Sequence, residues 1–309
     1  MGLEHGRVLV LGATGMLGHK VLQRLQMAGI DAAGTVRGRA EAFADHSVLG
    51  GMRLVGGVDA GDFDTVVRAV AAVRPTWIVN AVGLVKQLPG GKTAIPSITM
   101  NSLMPHRVGQ LAQAVGARFV QVSTDCVFSG RDGGYTESSV PDAEDLYGRS
   151  KLLGEVDGPG LLTLRTSIVG RQLTGASSLF EWFISNRSPE GAGAVKGFTR
   201  AIYTGVTTSV LGDVIAKLVR ERIELDGVWQ VASEPISKHG LLVMLNEAMD
   251  LGIEVAADES FACDRSLNGS AFAERVGWSC PTWQQMIDEL AADPTPYDEV
   301  RGEARAASV

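Results

Sequence analysis

The sequence predicts an α/β fold, a doubly wound parallel sheet with a smaller α/β lobe following it. Three observations carry this expectation. The first half alternates short β-branched runs with longer segments of helical period, the mark of repeated strand–helix–strand units. A glycine-rich turn, Gly12 to Gly18, stands between the first apolar run and the first helical segment. Beyond about residue 170 the regular alternation loosens and glycines punctuate the chain, as expected of a smaller substrate-facing lobe beside a Rossmann-type sheet.

Taken in order, Arg7 to Leu11, Asp31 to Val36, Arg53 to Val55, Trp77 to Asn80, Arg118 to Val122 and Leu161 to Arg165 read as buried strands bounded by Gly, Asp or Pro. Gly15 to Ala28, Asp62 to Val73 and Thr99 to Val115 carry apolar residues three and four apart, as helices covering a sheet do. Gly175, Gly191, Gly193 and Gly197 read as loop glycines around a helical stretch, Ser177 to Ser185. Thr208 to Arg222, Lys238 to Met249 and Pro281 to Ala291 return to a helical period, and Val228 to Val231 to a strand. The resulting division is a dinucleotide-binding domain over 1–170, a lobe over 171–292 that interleaves with it, and a polar, alanine-rich loose tail over 293–309.

Composition narrows the function. A chain of 309 residues, 45% hydrophobic, can bury a sizeable core. Its net charge of −7 and dispersed Lys and Arg give no basic stripe for a nucleic acid. Cys126, Cys263 and Cys280 are odd in number and lack metal-ligand spacing, so neither a disulfide nor a metal site is expected. No apolar run approaches the roughly 20 residues of a membrane span, and Arg7 to Leu11 is too short for a signal-peptide core. A cytoplasmic protein with no membrane or nucleic-acid partner is the expectation. Met1-Gly2 lacks the acceptor Ser or Thr of a myristoylation signal, and Asn268-Gly269-Ser270 is discounted as a glycosylation site.

The turn Gly12-Ala13-Thr14-Gly15-Met16-Leu17-Gly18 follows a strand and opens a helix, so its glycines can bring backbone against a pyrophosphate at a helix N-terminus. At the tip of the second strand stands Val36-Arg37-Gly38-Arg39, with no acidic residue. That favours a cofactor with a 2′-phosphate, NADP(H), with Arg37 the better ligand and Arg39 the second, although arginines of a surface loop can also be merely solvated. Asp59, after the third strand, suits a turn or N-cap ahead of the helix at Asp62.

The strongest signal is Tyr147-Gly148-Arg149-Ser150-Lys151. Tyr147 and Lys151, four apart on a helix, share a face on which the ammonium can hold a ribose and lower the phenol pKa while the phenol works as general acid or base. Thr124, directly after the fifth strand, offers a hydroxyl to steady a developing alkoxide. Thr124, Tyr147 and Lys151 are therefore the candidate catalytic residues.

With these motifs in order, Ser123-Thr124-Asp125-Cys126-Val127-Phe128-Ser129-Gly130, then Tyr135, Glu137 and Pro141, then Tyr147 to Glu155, the chain resembles the extended short-chain dehydrogenase/reductases and, among them, the dTDP-4-dehydrorhamnose reductase family. Val79 to Gly83, Leu164 to Ser167, Asp264 to Leu267, Gly277-Trp278 and Pro281 to Trp283 extend the similarity over residues 7 to 291. The resemblance implies reduction of the C4 ketone of a nucleotide-linked deoxysugar by NADP(H). It assigns Thr14, Met16, Leu17, Ala81, Val82, Gly83, Ser123 and Tyr147 to the cofactor and Asp125, Cys126, Ser167 and Ile168 to the substrate, and it allows a homodimer. For Asp59 it implies an adenine contact in place of the turn or N-cap.

Lys196 and Arg200, with Phe198 and Tyr203 nearby, would suit a nucleotide diphosphate, or equally make a basic loop over buried aromatics. Asn101 suits a proton relay or a helix residue bonded to backbone. The family's tyrosine after Ser-Thr-Asp is here Cys126 and its aromatic after Arg-Thr-Ser is Ile168, so the sugar is left open. A dehydratase would need an acid where Cys126 stands. An epimerase, a simple dehydrogenase and a non-catalytic NADP(H)-binding regulatory subunit remain as alternatives.

Overall fold

The computed structural model describes residues 6–86, 89–187 and 193–306. Seven parallel strands form its centre: β1 (Val8–Leu11), β2 (Ala32–Thr35), β3 (Arg53–Val55), β4 (Trp77–Asn80), β5 (Arg118–Val122), β6 (Leu161–Arg165) and a late arrival, β10 (Gly227–Gln230). Their order, β10-β6-β5-β4-β1-β2-β3, reverses direction between β1 and β4. At such a switch point the two flanking turns leave a crevice at the carboxyl ends of the strands. β1 and β4 are buried along their whole length, Val8–Leu11 and Trp77–Asn80. They explain why the strand signal was a continuous apolar run rather than an alternation.

Helices cover both faces. Gly18–Met27 and Thr208–Arg220 pack on one side with Val21, Leu22, Leu25, Val210, Val214 and Leu218 buried in the larger apolar cluster. Phe63–Val73 and Met104–Ala114 seal the other through Val66, Val70, Val108 and Ala112. The helix expected from residue 99 is led into by a π-helical stretch, Ile98–Leu103, which places Asn101 at a bulge.

Between β6 and the end lie elements the periodicity did not resolve. β7 (Ile168–Val169) pairs with β9 (Val206–Thr207), and β8 (Ala194–Tyr203) forms the middle of a second sheet between β11 (Ile236–Ser237) and β12 (Glu254–Asp264). Gly197 is thus a strand residue and not a loop glycine: a Cβ there would lie 2.8 Å from the His239 Cα, so only glycine lets the helix Lys238–Ala248 lie on β8. Gly191 and Met1-Gly2 fall outside the described residues. Because β10 returns to the large sheet between β8 and β12, the two lobes interleave along the chain.

The expected loose tail is a correction. Residues Tyr297–Ala306 form a helix, and Tyr297 and Val300 are each 2% exposed, packed with Val48, Leu49 and Leu173. The segment reads as polar because only those two positions face inward.

Candidate active site

The glycine turn is held by steric necessity. Gly12 has φ +86°, and a Cβ on it would meet Val82 Cγ2 at 2.8 Å; a Cβ on Gly18 would lie 2.0 Å from the Gly12 carbonyl oxygen. The Gly12 N–H donates to Thr35 Oγ1 at 3.0 Å, tying β1 to β2. The helix then starts with Leu17 at its N-cap and no side-chain cap, so first-turn N–H groups remain available to an anion.

Gly12, Thr14, Gly15, Arg37, Asp59, Ala81, Val82 and Gly83 all line one crevice, together with Thr35, Val58, Met100 and Met104. Arg37 is exposed at the tip of β2 and makes no ion pair among the described residues. Arg39 does not line the crevice; its side chain is 89% exposed and pairs with Glu41 at 3.7 Å. Asp59 is not a helix cap, since Asp62 fills that role for Phe63–Val73, and its Oδ1 accepts the Gly61 N–H at 2.9 Å. Of the remaining turn residues, Leu17 is turned into the apolar core and Met16 is half-buried, neither side chain lining the crevice.

Close behind Gly83, Lys151 is buried, and its ammonium donates to the Val122 carbonyl at 2.7 Å. A Cβ on Gly83 would stand 4.0 Å from that Nζ, so the glycine keeps the approach from crevice to lysine open. Burial pulls the Lys151 pKa down to about 8 against the opposing pull of Glu155. Affinity for an anionic dinucleotide is therefore expected to hold below about pH 8 and to weaken above it as the free protein's ammonium is lost. Titration of NADPH binding across that pH checks it; a flat profile through this range would contradict it.

Tyr147 sits on the same short helix, Leu146–Leu152, capped by Asp145, whose side chain accepts the Gly148 N–H at 2.9 Å. Burial pushes its phenol up, the nearby Cys126 and Asp125 act in the same sense, and a hydrogen bond with Thr124 opposes them. The lowering expected from Lys151 is not among the influences on the phenol, which burial holds in its acid form. Thr124 caps the 3₁₀ turn Asp125–Val127: its Oγ1 donates to Asp125 Oδ1 at 3.0 Å and accepts the Cys126 N–H at 3.2 Å.

Three expectations shift, those for Ser123, Lys196 and Arg200, and Asn101 takes the second of its two readings, bonded to backbone. The Ser123 hydroxyl is not directed to the crevice; it donates to Glu155 Oε1 at 2.7 Å. Glu155 is in turn bidentate with Arg165, at 2.8 and 2.7 Å. Asn101 is fully occupied as a brace, accepting the Leu84 N–H at 2.8 Å and donating to Leu84 O and Ser150 Oγ. Lys196 and Arg200 lie on the exposed face of β8, opposite Val195, Ala201 and Tyr203, and Lys196 pairs with Asp258 at 3.4 Å. They stand apart from the Thr124–Tyr147 cluster because residues of even number on this strand point outward.

Asp125 is buried beside that cluster, and Cys126 Sγ accepts from Arg265 Nη1 at 3.6 Å; burial raises the Cys126 thiol to about 12, so it is a neutral wall. Ser167 and Ile168 lie where β6 leaves the large sheet, Ile168 paired with Val206. A cation that the sequence reading passed over, Lys238, opens the helix 238–248 with its Nζ 3.7 Å from the centre of the Tyr203 ring. Burial lowers its pKa against the pull of Asp125 and Cys126, and it lines a shallow hollow with Ser177, Ser178, Leu179 and Trp182. It was missed because a lone lysine at a helix start carries no spacing signal.

Comparison with known proteins now adds to the geometry. A family model described as the RmlD substrate binding domain matches residues 6–243. The chain belongs to this family. Methionine adenosyltransferase 2 subunit beta of Danio rerio is 31% identical over 191 residues, covering 60% of this chain and 55% of that protein. dTDP-4-dehydrorhamnose reductase of Streptomyces griseus is 33% identical over 150 residues, covering 48% and 43%. The aligned stretches thus span about half the length of these relatives. Among solved structures, dTDP-4-dehydrorhamnose reductase of Bacillus anthracis in complex with NADP superposes with a TM-score of 0.76 at 20% identity, over 94% of this chain and 99% of that one. The two chains therefore share one fold over nearly their whole length. Among the described residues no helix is long and apolar enough to cross a membrane, and no cluster of His, Cys, Asp or Glu could hold a metal ion.

Proposed function

We propose that the chain is an NADPH-dependent reductase of the keto group, at C4, of a nucleotide-linked deoxysugar. The observation that carries this reading is a crevice lined by a sterically fixed glycine turn and by Arg37, with the buried Lys151 just behind Gly83 of its wall and, on the same helix as Lys151, a Tyr147 that burial keeps protonated.

The crevice fits a nicotinamide dinucleotide: the uncapped helix suits its pyrophosphate, Arg37 a 2′-phosphate, Asp59 the adenosine end, and Lys151 the ribose next to the nicotinamide. When bound, the cofactor supplies a hydride to the carbonyl carbon. Thr124 orients the carbonyl oxygen, and Tyr147, kept protonated by burial, transfers its proton to that oxygen so that the ketone becomes an alcohol. Asp125 is placed to accept from a neighbouring sugar hydroxyl. Lys238, rather than Lys196 or Arg200, is the cation best placed for the substrate's phosphates, being within electrostatic reach of Asp125 and open to the hollow beside Trp182.

A second reading is favoured by one observation, the 31% identity to a protein named as a methionine adenosyltransferase subunit: a non-catalytic subunit that holds NADP(H). Neither reading requires more than a cytoplasmic protein, and both allow a homodimer.

NADPH consumption with a panel of nucleotide-linked 4-keto-6-deoxy sugars separates the two. Turnover supports the reductase; tight NADPH binding with every sugar inert favours the subunit. Cofactor choice is tested by Arg37→Glu, expected to weaken NADPH binding by roughly tenfold to a hundredfold, from about 1.5–3 kcal/mol of charge-assisted hydrogen bonding. Arg39→Ala is expected to change it little, and equal effects of the two variants would contradict the assignment.

A further inference from the structure

We propose that His19 and Tyr297 are positioning residues that couple the C-terminal segment to the cofactor-binding turn, so that dinucleotide binding and docking of residues 293–301 reinforce each other. This rests on the cofactor crevice described above but on neither reading of the activity.

His19 follows the third glycine of the turn and is fully buried. Its Nδ1 lies 2.8 Å from the carbonyl oxygen of Gly15, an acceptor only, so Nδ1 carries the hydrogen. Burial lowers its pKa to about 4, which leaves Nε2 a bare acceptor at neutral pH. Tyr297 OH stands 3.0 Å from that Nε2 and donates to it, or alternatively to Asp293 Oδ2 at 3.2 Å. The imidazole thus links the middle glycine of the turn to a residue 278 positions away. The segment is further held by Lys20, whose Nζ pairs with Asp293 at 2.6 Å and donates to Thr295 Oγ1 at 3.0 Å.

The same segment also packs on the stretch of chain that follows Arg37. Tyr297 and Val300 pack with Val48 and Leu49, and Phe43, Met52 and Leu54 lie against that cluster. These residues belong to the loop that leaves Arg37 and returns as β3. Both the pyrophosphate turn and the loop following the arginine therefore lean on 293–301, which lies beyond the 6–243 stretch matched by the family model. A ligand that orders the turn and the loop must also favour the docked segment, and by reciprocity the docked segment must favour the ligand.

The test compares the full-length protein with Tyr297→Phe, which keeps the ring and removes the hydroxyl. NADPH affinity is read by titration, and amide hydrogen exchange over 293–301 with and without NADPH. The expected results are a dissociation constant raised about threefold to tenfold in the variant, the scale of one hydrogen bond, and slower exchange over 293–301 when NADPH binds the parent protein. An unchanged dissociation constant in Tyr297→Phe, or exchange that ignores NADPH, would overturn the proposal while leaving the cofactor site intact. Failure of the parent protein to bind NADPH would overturn both together.

Discussion

Tyr147→Phe is expected to lower kcat for ketone reduction by about 10²–10⁴-fold, the range for loss of a positioned acid, with NADPH affinity nearly unchanged. Burial keeps the Tyr147 phenol in the acid form that reduction consumes. The groups expected to carry most of the cofactor affinity, Lys151, the glycine turn and Arg37, are left in place, because the substitution removes only the phenol hydroxyl. Steady-state turnover beside an NADPH titration checks both halves. Equal turnover in variant and parent would remove Tyr147 from the chemistry.

The second large effect is on stability. Glu155 and Arg165 are each 6% exposed and bonded through both carboxylate oxygens, with Ser123 donating to the same Oε1. Replacing Glu155 by Ala leaves the Arg165 guanidinium buried without its counter-charge, and cutting one partner from such a pair costs about 3–5 kcal/mol. The change should appear as a lower urea midpoint with unaltered slope. It should also reach the site, because Glu155 is the charge that opposes the burial-driven fall of the Lys151 pKa. Glu155→Gln should accordingly move the pH at which NADPH binding begins to weaken to below about 8. Parent-like stability in Glu155→Ala would show that water reaches Arg165.

The central sheet was legible because its strands are buried on both faces, so Val8–Leu11 and Trp77–Asn80 read as unbroken apolar runs. The glycine turn and the Tyr147/Lys151 pair were legible because fixed backbone geometry demands fixed spacing. The small sheet was not. β12, Glu254–Asp264, is largely exposed along an edge and reads as polar and alanine-rich, while β8 carries Gly197 for a contact with His239 that no local pattern encodes. Lys196 and Arg200 looked like phosphate ligands from composition alone; strand alternation turns them outward and leaves the inward position to Tyr203, with Lys238 on its ring. Ser123 and His19 were misjudged or passed over for a related reason. Their partners, Glu155 and Tyr297, lie 32 and 278 residues away, and only folding brings them together.

The most direct test of the central claim follows the hydride. With NADPH deuterated at both C4 positions of the nicotinamide and a nucleotide-linked 4-keto-6-deoxy sugar, the parent protein is expected to yield an alcohol carrying one deuterium on the former carbonyl carbon, and Tyr147→Phe almost none. Product without deuterium, or no product from any such sugar while NADPH stays tightly bound, would contradict the reductase account and leave the chain as a holder of NADP(H).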